Sequence, residues 1–423
     1  MRAFFFIVLF LLTQFASGQN IGVLNESKIE LGMNTKALTE LHLTVHPKND
    51  SWLLLSGMQI NPKESSEYGV FTAISKDGGK KWSHLKMFHV AEGADPWSQI
   101  ASNGKAFTSV LGLEDLVIYR SNDAGSTWEK DSLNVGRGFD HQTMTWDRSN
   151  DNIYLVSIRS NKIYLNTATK NNVFDAPKEF TFSNLSSNTM TPVVLSNGKV
   201  LIPFTTFQKR TIDENDKVQQ ETLQKTLSWV VEYDPQKAMF GASSMICIDC
   251  ERGFPVMAAD QSEGSYKDRL YYVCSSQSTS EILFYYSTTK GDSWSKAKII
   301  KQYFKGEHTR RNKFTGIPQV AVNNKGEILV VWQDRTDDPT NKCQYLYGAI
   351  SKDGGKTFTT PQKISSQLSC QENTENGWAG ERYKSGGDYL GISSKQNGNF
   401  IVIWPDSRGG ISQLFIAELQ INQ

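Results

Sequence analysis

Short stretches of β-branched and aromatic residues recur along the chain, separated by polar turns. Pairs of such stretches, joined by turns rich in Asn, Asp and Gly, occur at "LTVHPKNDSWLLLSG", "PWSQIASNGKAFTSVLG", "HQTMTWDRSNDNIYLVSIR", "PVVLSNGKVLIPFTT", "PVMAADQSEGSYKDRLYYVCS", "PQVAVNNKGEILVVWQD" and "YLGISSKQNGNFIVIWPD". This pattern is typical of a β-hairpin. A third apolar stretch follows each pair, and a short fourth follows most of them. Four strands repeated about every 45 to 70 residues predict the blades of a β-propeller.

The two ends of the chain indicate how such a ring closes. The seventh unit stops after its third strand, and the segment "IGVLNESKIELG" precedes the first unit. An N-terminal strand that completes the last blade removes two open sheet edges, which would otherwise be exposed. We therefore predict an all-β, seven-bladed propeller that forms a single domain over residues 19–423. Six blades plus an extra hairpin is the alternative.

The first 18 residues, "MRAFFFIVLFLLTQFASG", have the features of a secretory signal peptide. One basic residue precedes an apolar core that is too short to span a bilayer, and small residues end the segment. We expect cleavage before Gln19 and export, to a periplasm or out of the cell, with no membrane span in the mature chain. A net charge of +1 and the lack of a basic run argue against nucleic acid as a partner. We expect a monomer without a cofactor.

Five cysteines leave at least one without an intrachain disulfide partner. Cys343 and Cys370 flank a predicted hairpin, so we expect a disulfide between them. Cys247 and Cys250 are expected to form a local disulfide, because no second Cys pair or nearby His completes a zinc site. Cys274 lies in an apolar strand and is expected to be a buried thiol.

A polar octapeptide follows the third strand of the first, second, fifth and sixth units. Its copies are "SKDGGKKW" (75–82), "SNDAGSTW" (121–128), "STTKGDSW" (287–294) and "SKDGGKTF" (351–358). Asp accepts hydrogen bonds from the backbone of its own turn, Gly permits a positive φ, and the aromatic ring packs between strands. We therefore expect a structural role for these turns. One carboxylate in each turn is too few for a calcium site.

The pattern S-x-D-x-G-x-[ST]-W resembles the Asp-box of the sialidase (neuraminidase)/BNR-repeat superfamily. The second copy matches every fixed position, and the other copies depart at Lys81, Thr289 and Phe358. The resemblance implies a propeller that acts on glycans, with its active site on the face opposite the octapeptides. In an antiparallel blade, that face carries the starts of the inner strands and the ends of the second strands.

Three acidic residues at the starts of inner strands, Asp95, Asp140 and Asp388, are the acid/base candidates. Inner strands converge on the propeller axis, so these carboxylates are expected to surround one central funnel. Crowded carboxylates raise one another's pKa values, which suits the paired carboxylates of a glycoside hydrolase. Tyr389 and Glu381 resemble the Tyr–Glu nucleophile pair of sialidases.

The candidate substrate-binding residues on the same face are mostly basic, because arginines bind carboxylate or sulfate groups in a bidentate manner. They are His42, Arg137, His141, Arg252, Arg310, Arg311, Asp334, Arg335, Arg382, Asp406 and Arg408. Glu40 also lies at an inner-strand start. For the "WQDR" and "WPDSR" segments, local pairing of Asp with Arg is the alternative.

One feature departs from the family pattern. The resemblance implies that a working sialidase has three arginines in its active site, the first of them near the first blade. No Arg occurs between Arg2 and Arg120, and His42 is the nearest polar substitute. The favoured hypothesis is an exported glycoside hydrolase, exo-α-sialidase-like, with a non-standard or degenerate active site. The alternative is a non-catalytic propeller that binds a glycan or a protein.

Overall fold

The computed structural model describes most of the chain. The described ranges are 20–64, 67–90, 92–130, 132–169, 173–183, 186–207, 226–250, 256–276, 278–279, 281–302, 315–372, 374–383 and 385–422. Predicted site residues Arg252, Arg310 and Arg311 lie outside these ranges, and the side chain of Glu381 is also outside the description. No helix in the described ranges is long and apolar enough to cross a membrane.

The first half of the chain forms the following strands: β1 (Ile21–Lys28), β2 (Ala37–His46), β3 (Asn49–Ile60), β4 (Tyr68–Ser75), β5 (Ser83–Phe88), β6 (Ala94–Ile100), β7 (Ala106–Leu111), β8 (Asp115–Ser121), β9 (Leu133–Arg137), β10 (Asp140–Trp146), β11 (Ile153–Arg159), β12 (Lys162–Ala168), β13 (Lys178–Phe180), β14 (Ser186–Thr189), β15 (Val193–Val194) and β16 (Val200–Phe207).

The second half forms these: β17 (Leu227–Asp234), β18 (Met239–Cys247), β19 (Val256–Ala259), β20 (Leu270–Ser275), β21 (Ile282–Ser287), β22 (Lys298–Lys301), β23 (Thr315–Val322), β24 (Ile328–Asp334), β25 (Tyr345–Ser351), β26 (Gln362–Lys363), β27 (Gly391–Ser394), β28 (Phe400–Asp406) and β29 (Gln413–Ile421). A 3₁₀ turn (Thr374–Asn376) and the short helix α1 (Trp378–Arg382) lie between β26 and β27.

These strands form seven antiparallel sheets, which are the blades of a propeller. Blades one to six are β2–β5, β6–β9, β10–β13, β14–β18, β19–β22 and β23–β26, and the fourth has its inner strand divided into β14 and β15. The seventh is β27–β28–β29–β1, in which β1 pairs with β29 from Ile21↔Ile421 to Lys28↔Phe415. The predictions of seven blades and of closure by the N-terminal strand are confirmed.

Apolar packing between neighbouring blades forms the core. The second strands β24 and β28 are buried at every residue, because each blade is covered on both faces. The inner strands contact one another in turn around the ring, from β2 through β6, β10, β15, β19, β23 and β27 back to β2. Their starts therefore meet at one end of a common axis.

The four octapeptide turns share one hydrogen-bonding pattern. In the second copy, the Gly125 N–H donates to Ser121 Oγ at 2.9 Å, and the Thr127 N–H donates to Asp123 Oδ1 at 2.8 Å. Gly125 has a φ of 88°, and a Cβ atom there would lie 2.9 Å from Leu54 Cδ1 of the preceding blade. The Asp therefore stabilises its own turn, and the turn packs against the neighbouring blade.

The cysteines are arranged partly as predicted. The Cys343–Cys370 disulfide is present, with a Cα–Cα distance of 4.1 Å. Cys274 is not the isolated thiol that its strand position predicted, because its sulfur lies beside those of Cys247 and Cys250.

Candidate active site

The same β-bulge occurs near the start of four inner strands. Pairing in blades one, two, three and six shifts register there, and the bulges contain Glu40, Asp95, His141 and Ile317, whose φ angles are 47°, 47°, 50° and 53°. A left-handed conformation costs a non-glycine residue about 1–2 kcal/mol. Bulges re-aim side chains and are frequent beside active sites. Three of the four positions bear a titratable group.

Glu40 is a deeply buried carboxyl group at this end of the ring, with 1% of its surface exposed. Its Oε2 accepts a hydrogen bond from the Asp388 N–H at 3.1 Å, and its buried Oε1 has no partner in the described part of the chain. Burial, followed by the negative charges of Asp388 and Asp95, raises the pKa of Glu40 well above its ordinary value; that hydrogen bond and Arg382 oppose the rise. Glu40 therefore favours the neutral carboxylic acid.

Asp95 is partly buried and titrates near neutrality. Burial, together with the charges of Asp140 and Asp388, raises its pKa to about 7, while Arg382 opposes this rise. Gln142 of the next blade donates a hydrogen bond from its side-chain amide to the Asp95 carbonyl oxygen, which fixes the bulge. Asp95 therefore exchanges a proton in the range in which general acids operate.

Asp388 and Arg382 face Asp95 from the segment before β27. Burial raises the pKa of Asp388, but the charge of Arg382 opposes this effect. Gly387, with a φ of 126°, brings the segment close to blade one, since a Cβ atom there would lie 2.7 Å from the Glu40 backbone nitrogen. Asp388 is more exposed than Asp95. The two carboxyl groups thus have different environments.

Asp140 lies at the exposed rim, on the inner strand of blade three. Its Oδ1 accepts a hydrogen bond from the His141 N–H at 2.7 Å, and its Oδ2 lies 3.9 Å from His141 Nε2. Its charge is one of those that raise the pKa of Asp95. The negative charge of Asp140, at the solvent-exposed rim, therefore helps to raise the pKa of Asp95.

Aromatic side chains form the base of the funnel. The His42 ring stacks on Trp97 with centroids 3.9 Å apart, and Trp97 contacts Tyr389 edge to face at 6.1 Å. Burial lowers the pKa of His42 to about 3, so its imidazole is uncharged. The Ser98 N–H points to His42 Nδ1 at 3.4 Å, which places the ring proton on Nε2. Burial and the nearby carboxylates raise the pKa of Tyr389, which remains a neutral phenol.

A separate axial cavity of about 350 Å³ lies beyond His42, towards the ends of the inner strands. Its walls include His46, Trp146, Arg148 and Lys395. The acidic groups Glu40, Asp95 and Asp388 do not line it. We therefore place the candidate site in the carboxylate funnel, on the basis of its charges, rather than in this cavity, whose wall also includes His42.

The described funnel carboxylates do not form a compact cluster of three metal-ligating groups. Within the described ranges, the only group of three potential metal-ligating side chains with all ligand atoms within 4.8 Å is formed by cysteines.

Arg137 lies away from the axis, although its position before β10 suggested a place in the funnel. It ends β9, the outer strand of blade two, and its exposed guanidinium forms an ion pair with Glu114.

The "WQDR" segment makes local contacts. Asp334 is fully buried and accepts a hydrogen bond from the Trp332 indole N–H at 3.3 Å, and Lys301 lies 3.6 Å from it. Arg335 is also buried, and its guanidinium contacts Glu372 at 3.3 Å. Asp334 and Arg335 are therefore each paired with other residues, and the predicted pairing of this Asp with this Arg, both within the described ranges, is not present.

The "WPDSR" segment of blade seven repeats the contact between Trp and Asp and adds a local Asp–Arg pair. Asp406 accepts a hydrogen bond from the Trp404 indole N–H at 3.0 Å and pairs with Arg408 at 2.7 Å. Arg408 also contacts Glu26 at 2.8 Å.

Of the predicted site residues, the structure groups seven around the funnel, which are His42, Asp95, Asp140, His141, Arg382, Asp388 and Tyr389.

Glu40 was not ranked among the acid/base candidates, although the sequence contained a signal for it. It is the only charged residue in the strand "ALTELHLTVH", and an unpaired charge in an apolar strand is costly unless it has a role. Tyr383 is a second residue that was missing from the predicted site. Burial raises its pKa, and the negative charge of the neighbouring Glu40 raises it further.

Comparison with known proteins identifies similar folds without close relatives. No protein-family model matches the chain, and no curated protein matches its sequence. A protein of unknown function from Dyadobacter fermentans DSM 18053 has a TM-score of 0.57 at 10% identity, covering 95% of this chain and 99% of that one. A polysaccharide lyase of family PL25, an ulvan lyase bound to -[GlcA(1-4)Rha3S]-, also has a TM-score of 0.57 at 10% identity, covering 94% and 95%.

Sialidases occur among the more distant matches. The Trypanosoma rangeli sialidase has a TM-score of 0.46 at 9% identity, covering 90% of this chain and 55% of that chain. The architecture is thus that of a seven-bladed β-propeller, the fold that the strand pattern and the octapeptides predicted.

Proposed function

We propose that this protein is a glycoside hydrolase whose reaction takes place in the carboxylate funnel. The observation that carries the proposal is the pair formed by Asp95, with a pKa of about 7, and Asp388, whose charged form Arg382 favours. Two carboxyl groups with different environments can divide the roles of acid and of base or nucleophile. The polysaccharide bound to the ulvan lyase of similar fold is consistent with a glycan ligand here.

The proposed mechanism follows from these environments. Protonated Asp95 donates its proton to the glycosidic oxygen as the bond to the sugar breaks. Asp388, as the carboxylate, either attacks the anomeric carbon or removes a proton from the attacking water. Each route ends with one water molecule added across the bond. The His42 ring, stacked on the buried Trp97, offers its Nε2–H as a donor for the sugar ring.

Glu40 has a positioning role in this proposal, because it is buried behind the two catalytic groups. Its Oε2 holds the Asp388 N–H, and through this bond it fixes the segment that carries Asp388. As a neutral acid it also avoids adding a further negative charge beside Asp95.

The charges of the site favour a neutral sugar over sialic acid at the bond that is cleaved. Blade one supplies Glu40 and an uncharged His42, and the sequence has no Arg between Arg2 and Arg120. Among the described funnel residues, Arg382 supplies a guanidinium group. Its positive charge already lowers the pKa values of Glu40, Asp95 and Asp388. A substrate carboxylate would therefore meet, among these described residues, one guanidinium, whose charge is already shared by three carboxyl groups.

Export is the second part of the proposal. The signal-peptide features of residues 1–18 and the four octapeptides support a secreted or periplasmic Asp-box protein that meets extracellular glycans. The proposal includes neither a membrane nor a nucleic-acid partner.

The test is hydrolysis of a panel of neutral, amino, uronic and sialic glycosides by the purified chain. We expect turnover of a neutral glycoside, and a loss of at least about 1,000-fold in kcat/KM for Asp95→Asn and Asp388→Asn. Asp115→Asn, in the same blade as Asp95 but bonded to Asn134, is the matched control and should retain activity. Saturable glycan binding without product for any substrate would instead identify a non-catalytic binding propeller.

A further inference from the structure

Three buried cysteines meet between blades four and five. Cys247 ends β18, Cys250 lies in the connection to blade five, and Cys274 is in β20. Their Sγ atoms all lie within 4.8 Å of one another. The Cα–Cα distances are 5.9 Å for Cys247–Cys250 and 5.7 Å for Cys250–Cys274, both within the usual range for a disulfide. A sulfur atom forms only one disulfide, so Cys250 can bond to either neighbour but not to both.

We propose that these residues form a thiol–disulfide exchange site, in which Cys250 is always bonded and Cys247 and Cys274 alternate as its partner. In the exchange, the Cys247 thiolate attacks Cys250 Sγ in the Cys250–Cys274 disulfide. The Cys247–Cys250 bond forms, the Cys250–Cys274 bond breaks, and Cys274 leaves as a thiolate. The proton lost by Cys247 passes to Cys274. One disulfide and one thiol are present before and after, so no external oxidant or reductant is consumed.

Hydrogen bonding determines which arrangement predominates. Cys247 Sγ accepts a hydrogen bond from the Tyr285 hydroxyl at 3.1 Å and another from the Asp249 N–H at 3.2 Å. In the described part of the chain, Cys274 Sγ has no comparable donor. Donors stabilise a thiolate, so Cys247 is favoured as the unbonded sulfur. Burial and the nearby Asp249 raise the pKa of Tyr285 to about 12, which keeps its hydroxyl a donor at neutral pH.

The two arrangements connect the blades differently. The Cys250–Cys274 disulfide joins the connection from blade four to the second strand of blade five, next to the isolated pairing of Cys250 with Ser276. The Cys247–Cys250 disulfide closes a loop within the connection itself, with a sequence separation of 3 rather than 24. A longer closed loop restricts the unfolded chain more strongly, so exchange alters how firmly blade five is attached.

The test is disulfide mapping of the intact protein. The chain is quenched in acid, unfolded, alkylated without reduction, digested and analysed by mass spectrometry. We expect one thiol per chain, found mainly on Cys247 and to a smaller extent on Cys274, with none on Cys250. Cys343 and Cys370 serve as an internal control, because their separate disulfide should remain unlabelled.

Tyr285→Phe tests the stated cause. It removes one donor to Cys247, and the ratio of labelled Cys274 to labelled Cys247 should rise about threefold to tenfold, as expected for one hydrogen bond. Tyr286→Phe is the matched control and should leave the ratio unchanged. Cys247→Ala should yield a chain with no thiol. Label on Cys250, three free thiols that bind one Cd²⁺, or a ratio insensitive to Tyr285→Phe would each overturn the proposal.

Discussion

Replacing Asp95 by Asn should make the protein more stable at alkaline pH while removing its proposed catalytic acid. The folded chain holds the pKa of Asp95 near 7, compared with an ordinary value of 3.8. At 1.36 kcal/mol for each pH unit, this difference corresponds to about 4 kcal/mol of stability that the wild-type chain loses on ionisation. Because the folded pKa is raised, the wild-type stability is complete below pH 3.8 and declines as the pH rises through 7. Asn does not ionise and avoids this loss.

The assay is urea unfolding of both chains at intervals between pH 4 and pH 8.5. The free energies of unfolding of the two chains should coincide near pH 4 and diverge above it. At pH 8.5 the value for Asp95→Asn should be higher by up to about 4 kcal/mol. The measured difference includes relief of the repulsion that Asp95 exerts on Glu40.

Asp338→Asn provides a control of opposite sign. Burial tends to raise the pKa of Asp338, but backbone N–H groups of Cys343, Thr340 and Lys342 bond to its carboxylate and lower the pKa to about 2. This contribution is present above pH 3.8 and is lost as the pH falls towards 2, so the Asn variant should be destabilised at neutral pH. Parallel curves for wild type and Asp95→Asn at every pH would refute the assignment of a raised pKa to Asp95.

Three further predictions concern the pH profile, the buried acid and the blade contacts. For the wild-type protein, the kcat/KM of the proposed reaction should fall as the pH rises through about 7, since Asp95 then loses the proton that it must donate; a flat profile to pH 9 would argue against this role. Glu40→Gln keeps an acceptor for the Asp388 N–H and should raise stability above neutral pH, because the raised pKa of Glu40 disfavours its ionisation in the folded chain; it should leave the alkaline limb in place, because Glu40 is neutral when Asp95 ionises, and calorimetry and the same profile measure the two effects. Gly125→Ala places a methyl group against the preceding blade at a φ of 88° and should cost about 2–4 kcal/mol in urea unfolding, whereas Gly104→Ala, at a φ of 83° in open space, should cost only about 1–2 kcal/mol. Equal losses of stability for the two alanine variants would contradict the proposed contact between blades.

Local sequence patterns were sufficient to predict the blades. The second strands β24 and β28 are buried at every residue, and each octapeptide turn is held by its own Ser together with an Asp or, in the third copy, Thr289, so apolar stretches and turn residues contain the necessary information. Ring closure followed from the need to cover two edges, and β1 does pair with β29.

The site was only partly predictable, because its chemistry depends on contacts between blades. Asp95, Asp140 and Asp388 were identified from strand position, but the raised pKa of Asp95 arises from burial and from neighbours in blades three and seven. The bulge that gives Glu40 its positive φ leaves no mark in the sequence.

Arginines next to strands were the least informative pattern. An Arg beside a second strand suits either a funnel or a local ion pair, and sequence position does not distinguish them. Arg335 and Arg408 proved to be paired with Glu372 and with Asp406.

The central claim, that Asp95 is the general acid of a glycoside hydrolase, is tested most directly by the dependence of activity on the leaving group. Wild type and Asp95→Asn should be compared on glycosides of one sugar with a series of leaving groups, from dinitrophenol to a simple alcohol. Protonation assists only poor leaving groups, so we predict a loss below about tenfold for dinitrophenol and above about 1,000-fold for the alcohol. Equal losses across the series, or unchanged activity, would contradict the account.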